Sequence, residues 1–335
     1  MKASRIVPGP QGGRLEIQDV PQPDVGPGQV LVRVMASGLN RGEIKLVRDA
    51  TGGPPRTSGV EFAGIVAATG PGVAHLREGD HVVGHGVGGQ AEFAVAEARA
   101  VLQVPRSLPW AEAAAFLNTF ITAHDALVVN GELRPGETVL INAASSGIGL
   151  AAIQIASLMK AGKVLATTRS AEKAARLARY GVTHAIDVSA SNLVPAVMEA
   201  TCGRGVDIVI DSLGAEVFPD NMKCLAVKGR LVNVGRMAGA ITQLDLSDLW
   251  LKRLKLIGVT FRTRSEEERL RCIEAAARDL LPLLASGAIQ LPIDRVYPLD
   301  RIAEAHAYME TGRHFGKIVI AIDRQLAAAT TAVTA

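Results

Sequence analysis

The rhythm of hydrophobic and polar positions changes near Trp110. Before it, short β-rich pieces (Arg14–Asp19, Gln29–Ala36, Val60–Ala68, His81–Val83 and Ala91–Val95) are broken by Gly and Pro turns such as Val25-Gly-Pro-Gly. The pieces lie too close together to hold crossover helices, so the stretch predicts a small barrel or rolled sheet. From Ala111 to Val129 few breakers occur and the pattern reads as helix. Strands and helices then alternate. Strands are predicted at Thr138–Asn142, Lys163–Thr168, His184–Asp187, Asp207–Asp211, Arg230–Val234 and Lys255–Val259. Helices are predicted at Gly147–Met159, Ala171–Tyr180 and around Leu193–Thr201. Repeated βα units of this kind imply a parallel sheet with right-handed crossovers, the doubly wound α/β design.

After Phe261 the pattern predicts a long helix to about Leu284, the segment Ile289–Pro298, a helix to Glu310 and a final strand Lys317–Ile322. These pieces resemble the opening stretch. The chain is therefore expected to return to its first domain, giving one domain from residues 1–124 and 263–335 and an inserted dinucleotide domain at 125–262. A ligand is expected in the cleft between them.

Composition narrows the class. A chain of 335 residues exceeds what one core usually serves, so two domains fit its length. Its net charge is only +3, and Lys and Arg are mixed among Asp and Glu, so no nucleic-acid partner is expected. Three cysteines, Cys202, Cys224 and Cys272, make no CxxC pair and suggest a reducing, cytoplasmic setting. No apolar run reaches membrane-spanning length, so no membrane partner is expected. The Ala/Thr-rich end, Gln325–Ala335, is expected to fray.

The chemistry-bearing motif is Ala144-Ser145-Ser146-Gly147-Ile148-Gly149, between a predicted strand and helix. Gly147 lets backbone approach a pyrophosphate, and Gly149 lets the helix pack close to the strand. The helix N-terminus offers free N–H groups and the positive end of its dipole. The first glycine of the full GxGxxG fingerprint is replaced by small residues. Alone, such a turn also serves as a tight helix start needed only for packing. Its place on the first strand of the βα series favours a dinucleotide. At the end of the second strand, where an acidic residue would bind the ribose 2′-hydroxyl of NAD, stand Thr168, Arg169 and Ser170, with Lys173 following. Two cations and a hydroxyl suit a 2′-phosphate, hence NADPH; the other reading is a solvated helix start.

Ordered motifs across nearly the whole length carry a family resemblance. They include Pro27-Gly-Gln-Val-Leu-Val-Arg-Val, Ser37-Gly-Leu-Asn40, Gly59-Val-Glu61-Phe-Ala-Gly64, Gly88-Gly-Gln-Ala-Glu92, Asp207-Ile-Val-Ile-Asp211-Ser212 and Thr311-Gly-Arg-His-Phe-Gly-Lys317. The chain resembles the zinc-independent quinone oxidoreductase branch of the medium-chain dehydrogenase/reductase superfamily. That implies a Rossmann doubly wound sheet inserted into a GroES-like β-rich catalytic domain. Zinc members carry an early Cys and a Gly-His-Glu. Here those places hold Leu39-Asn40 and Val60, so no metal is expected.

The resemblance implies a site. Asn40 and Thr122 would lie near the nicotinamide ribose. Gly147, Ile148 and Gly149 would face the pyrophosphate, and Thr168, Arg169, Ser170 and Lys173 the adenosine end. Asp211 and Ser212 would end a strand at the cofactor edge, followed by Gly235 and Arg236. Val259 and Phe261 would line the nicotinamide loop, and Lys317 would close on the cofactor. Asn40 is expected either to donate a hydrogen bond to the acceptor or to cap its loop structurally. Arg48 is expected either to bind an acidic substrate group or to lie in a solvated loop. A tyrosine common in relatives is missing from Arg41–Pro55. Without zinc, a conjugated acceptor is the expected substrate, because it spreads incoming charge onto distant oxygens. Three functions stay open: NADPH-dependent quinone reductase, enone or enoyl-thioester reductase, and an NADPH-binding protein with little turnover. The family also suggests a homodimer, with Lys255–Val259 as a candidate edge.

Overall fold

The computed structural model describes residues 1–323 and 325–326. Of the tail expected to fray, residues 327–335 lie outside the described residues. Along the chain come β1 (Lys2–Val7), β2 (Arg14–Asp19), β3 (Gln29–Leu39), α1 (Arg41–Arg48), β4 (Arg56–Thr57), β5 (Glu61–Thr69), β6 (His81–His85), β7 (Phe93–Glu97), β8 (Val101–Gln103) and α2 (Trp110–His124). The alternating series holds β9 (Thr138–Ile141), α3 (Gly147–Leu158), β10 (Lys163–Thr168), α4 (Ala171–Leu177), β11 (His184–Asp187), α5 (Leu193–Ala200), β12 (Val206–Asp211), α6 (Phe218–Cys224), β13 (Leu225–Asn233), α7 (Leu246–Lys252) and β14 (Lys255–Gly258). The chain closes with α8 (Glu266–Ala285), β15 (Ile293–Pro298), α9 (Ile302–Glu310) and β16 (Lys317–Ala321).

Two compact units form. One holds Met1–Asn118 and the chain from Ile273 on; the other holds Thr119–Cys272. Both boundaries fall inside helices, α2 and α8, where the sequence pattern shows no break.

In the first unit the larger sheet runs β15-β16-β3-β5-β6-β8, with β7 also on β3, and β2-β1-β4 forms a smaller sheet. β16 lies antiparallel on β3, pairing Ile318 with Leu39 and Ala321 with Ala36. The C-terminal segment thus belongs to the same sheet as the opening strands. Phe62, Leu39, Val82, Val101, Ile318 and Ile320 fill the core. The short strands β1, β4 and β8 and the helix α1 escaped the sequence reading. α1 is a helix where the pattern suggested only a loop after Asn40. Its eight residues bury just Glu43 and Ile44, too few for an apolar stripe to register.

In the second unit six parallel strands lie in the order β11-β10-β9-β12-β13-β14. Numbered from β9, this is the 3-2-1-4-5-6 order of the doubly wound fold, and it reverses between β9 and β12. Every residue of β9 is buried, as expected of a central parallel strand covered on both faces. β13 begins five residues before the predicted Arg230, through an irregular register opposite β12. α2 ends earlier than Val129 and passes into a π-helical turn, Asp125–Asn130. α6 and α7 are short helices that the pattern did not announce.

Candidate functional site

The glycine turn sits at the carboxyl end of β9, where the strand order reverses. In open α/β sheets that is where ligands bind. Ser146 is the N-cap of α3, and its hydroxyl accepts the Gly149 amide at 3.1 Å. The first-turn amides of Gly147 and Ile148 have no preceding turn to bond to, so they are available to an anion. Ala144 is buried and its amide donates to Thr167 O at 2.9 Å, tying the turn to β10. A Cβ on Gly149 would stand 2.6 Å from Ala144 Cα and 2.7 Å from the carbonyl oxygens of Ala143 and Ala144. Only glycine fits there. Ala143 holds a left-handed φ of 50°, a conformation glycine adopts without strain. The turn keeps the fingerprint's shape although its first glycine is gone.

β10 ends at the buried Thr168, followed by the exposed Arg169. Ser170 caps α4 by accepting the Lys173 amide at 3.3 Å. A hydroxyl residue and two cationic residues therefore lie at the start of α4. No carboxylate stands at Arg169 or Ser170 to take a ribose 2′-hydroxyl.

Asp211, fully buried at the end of β12, pins the neighbouring loops. Its carboxylate accepts the amides of Leu213 at 2.8 Å and Gly214 at 3.1 Å, and Asn233 Nδ2 at 3.2 Å. Burial pushes its pKa up against those hydrogen bonds. Asn233 also donates to Gly235 O, and the Met237 amide reaches Ser212 O, so Ser212, Gly235 and Arg236 lie on a braced loop. Asn142 extends the bracing, accepting from Thr167 Oγ1 and donating to Asn221 Oδ1. After β14 the Val259 amide donates to Asn233 O, and Arg264 stacks over Phe261 at 5.0 Å. Arg264 reaches the buried Asp125 of the π-helical turn at 2.7 Å. Thr122, near the end of α2, is buried.

In the first unit the structure places Lys317 and Asn40 in one polar cluster. Lys317 was expected to close on the cofactor. Its ammonium is buried and bonds Leu39 O at 3.0 Å, Asn40 Oδ1 at 2.8 Å and Glu61 Oε1 at 2.7 Å. All three of its protons are committed inside the unit. Asn40 was expected to donate to an acceptor or to cap its loop. Its Nδ2 faces Glu61 Oε1 at 2.9 Å and Glu43 Oε1 at 3.1 Å, and its Oδ1 accepts from Lys317 and Asn118. The amide is spent within the protein. Asn40 is the N-cap residue of α1, and Glu43 accepts its backbone N–H at 3.1 Å. Arg48 is taken up too, pairing with Glu310 at 2.7 Å.

Glu43, Gln90 and Asn118 complete this cluster and escaped the sequence reading. Gln90 Nε2 donates to Glu43 Oε2 at 2.8 Å, and Asn118 donates its backbone N–H to Glu61 Oε2 at 2.9 Å. The spacing Asn40-x-x-Glu43 is that of a capping box and could have announced Glu43. Gln90 and Asn118 lie far along the chain and leave no local signal.

Residues 147–276 match the family model described as a zinc-binding dehydrogenase, and residues 26–106 match the alcohol dehydrogenase GroES-like domain. The chain is 30% identical to quinone oxidoreductase-like protein 2 of Bos taurus, over 92% of this chain and 89% of that one. It superposes on the Escherichia coli quinone oxidoreductase solved with NADPH at a TM-score of 0.85. There the identity is 27% and the coverage 96% of this chain and all of that one. A structure described as an NAD-dependent alcohol dehydrogenase gives the same TM-score at 29% identity, with 96% of this chain and all of that one covered. The chain belongs to the quinone oxidoreductase branch of the medium-chain dehydrogenase/reductase superfamily. It is an oxidoreductase with the GroES-like and Rossmann domains of that family.

The zinc in the family model's description finds no ligand set among the described residues. No group of three or more His, Cys, Asp or Glu is placed to hold a metal there. Glu61 is occupied by Lys317, whose positive charge would repel a cation. His85 bonds Asn118, and His81 stacks on Trp110 at 4.5 Å. The nicotinamide dinucleotide does fit: the cradle that a Cβ at Gly149 would fill lies beside free first-turn amides. Among the described residues no helix is long and apolar enough to cross a membrane.

Proposed function

We propose that this protein is an NADPH-dependent reductase that passes a hydride to a quinone or similar conjugated acceptor without zinc. The observation that carries the reading is Arg169 beside Ser170 and Lys173 at the end of β10, next to the glycine turn. Bound NADPH would supply the hydride. The chain's own residues would bind and orient. Gly147 and Ile148 would direct their amides at the pyrophosphate. Arg169, Ser170 and Lys173 would take the 2′-phosphate, and the loops braced by Asp211 and Asn233 would hold the dinucleotide between them. Thr122, Val259 and Phe261 would shape the nicotinamide end. A conjugated acceptor needs no Lewis acid, because its own π system spreads the incoming charge, so orientation and exclusion of water suffice. Asn40 enters as a positioning residue at the start of α1, its amide being committed within the protein.

The test is a steady-state assay of NADPH and NADH oxidation against 1,4-benzoquinone, 9,10-phenanthrenequinone, an enone and an enoyl-CoA. Quinone turnover preferring NADPH and surviving EDTA is the expected result. Turnover only with the enone or enoyl-CoA would move the assignment to those acceptors. Tight NADPH binding with no turnover on any acceptor would overturn the enzymatic reading.

A homodimer formed through β14 is part of this proposal. β14 is the sheet's edge strand, and exposed Leu256, Trp250, Leu251 and Ile241 lie on it or before it in the chain. Light scattering at micromolar concentration tests it; a monomer would refute it. The three free thiols suit a reducing compartment such as the cytoplasm.

A further inference from the structure

Two carboxylates and one ammonium are buried together in the first unit. Glu61 is fully buried, Glu43 is 3% exposed and Lys317 is 4% exposed. Lys317 pairs with Glu61 at 2.7 Å. Among the described residues Glu43 has neutral partners within hydrogen-bond distance, namely the backbone N–H and Nδ2 of Asn40 at 3.1 Å and Gln90 Nε2 at 2.8 Å. One amide group, Asn40 Nδ2, thus lies between two carboxylate oxygens. With both acids ionised the cluster carries one uncompensated negative charge among buried groups, which burial disfavours.

The surrounding elements do not supply the missing cation. On α1 itself, Arg41 donates to Met309 O, Lys45 pairs with Asp49 at 2.6 Å, and Arg48 pairs with Glu310. From β5 comes Glu61, from β16 Lys317, and from the turn before β7 the neutral Gln90. α9 contributes His306, whose imidazole burial drives down to about 4, so it stays neutral above that. Glu43 and His306 line one cavity of about 100 Å³, together with the exposed Arg56 and the apolar Ile6, Leu46, Val47, Val60 and Val87. His306 Nε2 is buried there without a hydrogen-bond partner.

We propose that Glu43 binds and releases a proton around neutral pH, its neutral form relieving the buried cluster of its uncompensated charge while its oxygens position Asn40 and the start of α1. Burial lifts the Glu43 carboxyl to about 7, with Asn40 and Lys317 acting against the rise and Glu61 with it. On ionisation the proton goes to water, and the buried cluster is left with an uncompensated negative charge that lowers the stability of the fold. The protonation is independent of the function proposed above; only its effect on turnover rests on that reading.

The test compares Glu43→Gln, an isostere of the neutral acid, with wild type in thermal unfolding from about pH 5 to about pH 8. Taking the difference between the two proteins cancels the contribution of His306. The variant should gain roughly 5–10 °C on wild type as pH rises through this window. A difference that stays flat, or one that shifts in favour of wild type, would overturn the proposal. Should Glu43→Gln fail to fold, infrared spectroscopy of wild type decides. A carboxylic-acid C=O band present near pH 5.5 and lost near pH 8.5 supports the proposal, and no such band at either pH overturns it. In turnover, wild-type kcat should fall over the same alkaline limb, and Glu43→Gln should lack that limb. If the unfolding result holds while neither protein reduces an acceptor, the reductase reading fails and the protonation stands.

Discussion

Gly149→Ala puts the dinucleotide reading to a quantitative test. The added methyl would lie 2.6 Å from Ala144 Cα and 2.7 Å from two carbonyl oxygens, all backbone atoms that no rotamer change can move. To restore ordinary contact, α3 must withdraw from the turn by roughly 0.7 Å. Overpacking of this kind costs about 1–3 kcal/mol of stability. The functional effect is larger, because the displaced amides are those of Gly147 and Ile148. A hydrogen bond near 2.9 Å stretched by that amount ceases to be one. Each charge-assisted bond lost to the pyrophosphate removes about 1.5–3 kcal/mol, so losing even one of the two should lower NADPH affinity by about 10- to 100-fold. Fluorescence titration with NADPH gives the affinity, and urea unfolding of the apoprotein gives the stability. Gly52→Ala is the control: it meets nothing within 4 Å and its φ is not left-handed, so both quantities should stay near wild type. If Gly149→Ala binds NADPH as tightly as wild type, the turn does not hold the pyrophosphate and the reasoning fails.

Three further outcomes follow from other parts of the structure. Arg169→Asp should reverse the preference between NADPH and NADH, read as the ratio of kcat/KM values; an unchanged ratio would remove Arg169 from the 2′-phosphate site. Lys317→Met should cost about 3–5 kcal/mol in urea unfolding, because it strands the buried Glu61. Adding Glu61→Gln should recover part of that loss, and a Lys317→Met midpoint equal to wild type would contradict the buried pair. His306 has its pKa lowered from 6.5 to about 4, so the unfolded chain takes up its proton first as pH falls. Its stabilising contribution is therefore complete above pH 6.5 and is lost as pH falls towards about 4, by about 3 kcal/mol. His306→Leu should show a shallower acid limb in stability, and an unaltered slope would count against a buried neutral imidazole.

Local patterns on the chain determined much of this protein. The period-2 pieces, the βα alternation and the strand–turn–helix at Ala144–Gly149 are short-range features, and they gave the two sheet types and the place of the dinucleotide turn. Arg169 and Lys173 were legible because they follow their strand directly. The π-helical end of α2 and the early start of β13 were not legible, since packing set them rather than local propensity. The polar cluster was the largest omission. Asn40, Glu43, Glu61, Gln90, Asn118 and Lys317 lie on five separated stretches of chain, and the pairing of β16 with β3 is what brings Lys317 beside Leu39 and Asn40. Sequence identified Asn40 and Lys317 as residues of interest but not what they touch. That depends on burial: an amide or ammonium removed from water must bond to what surrounds it, and only the tertiary structure decides what that is.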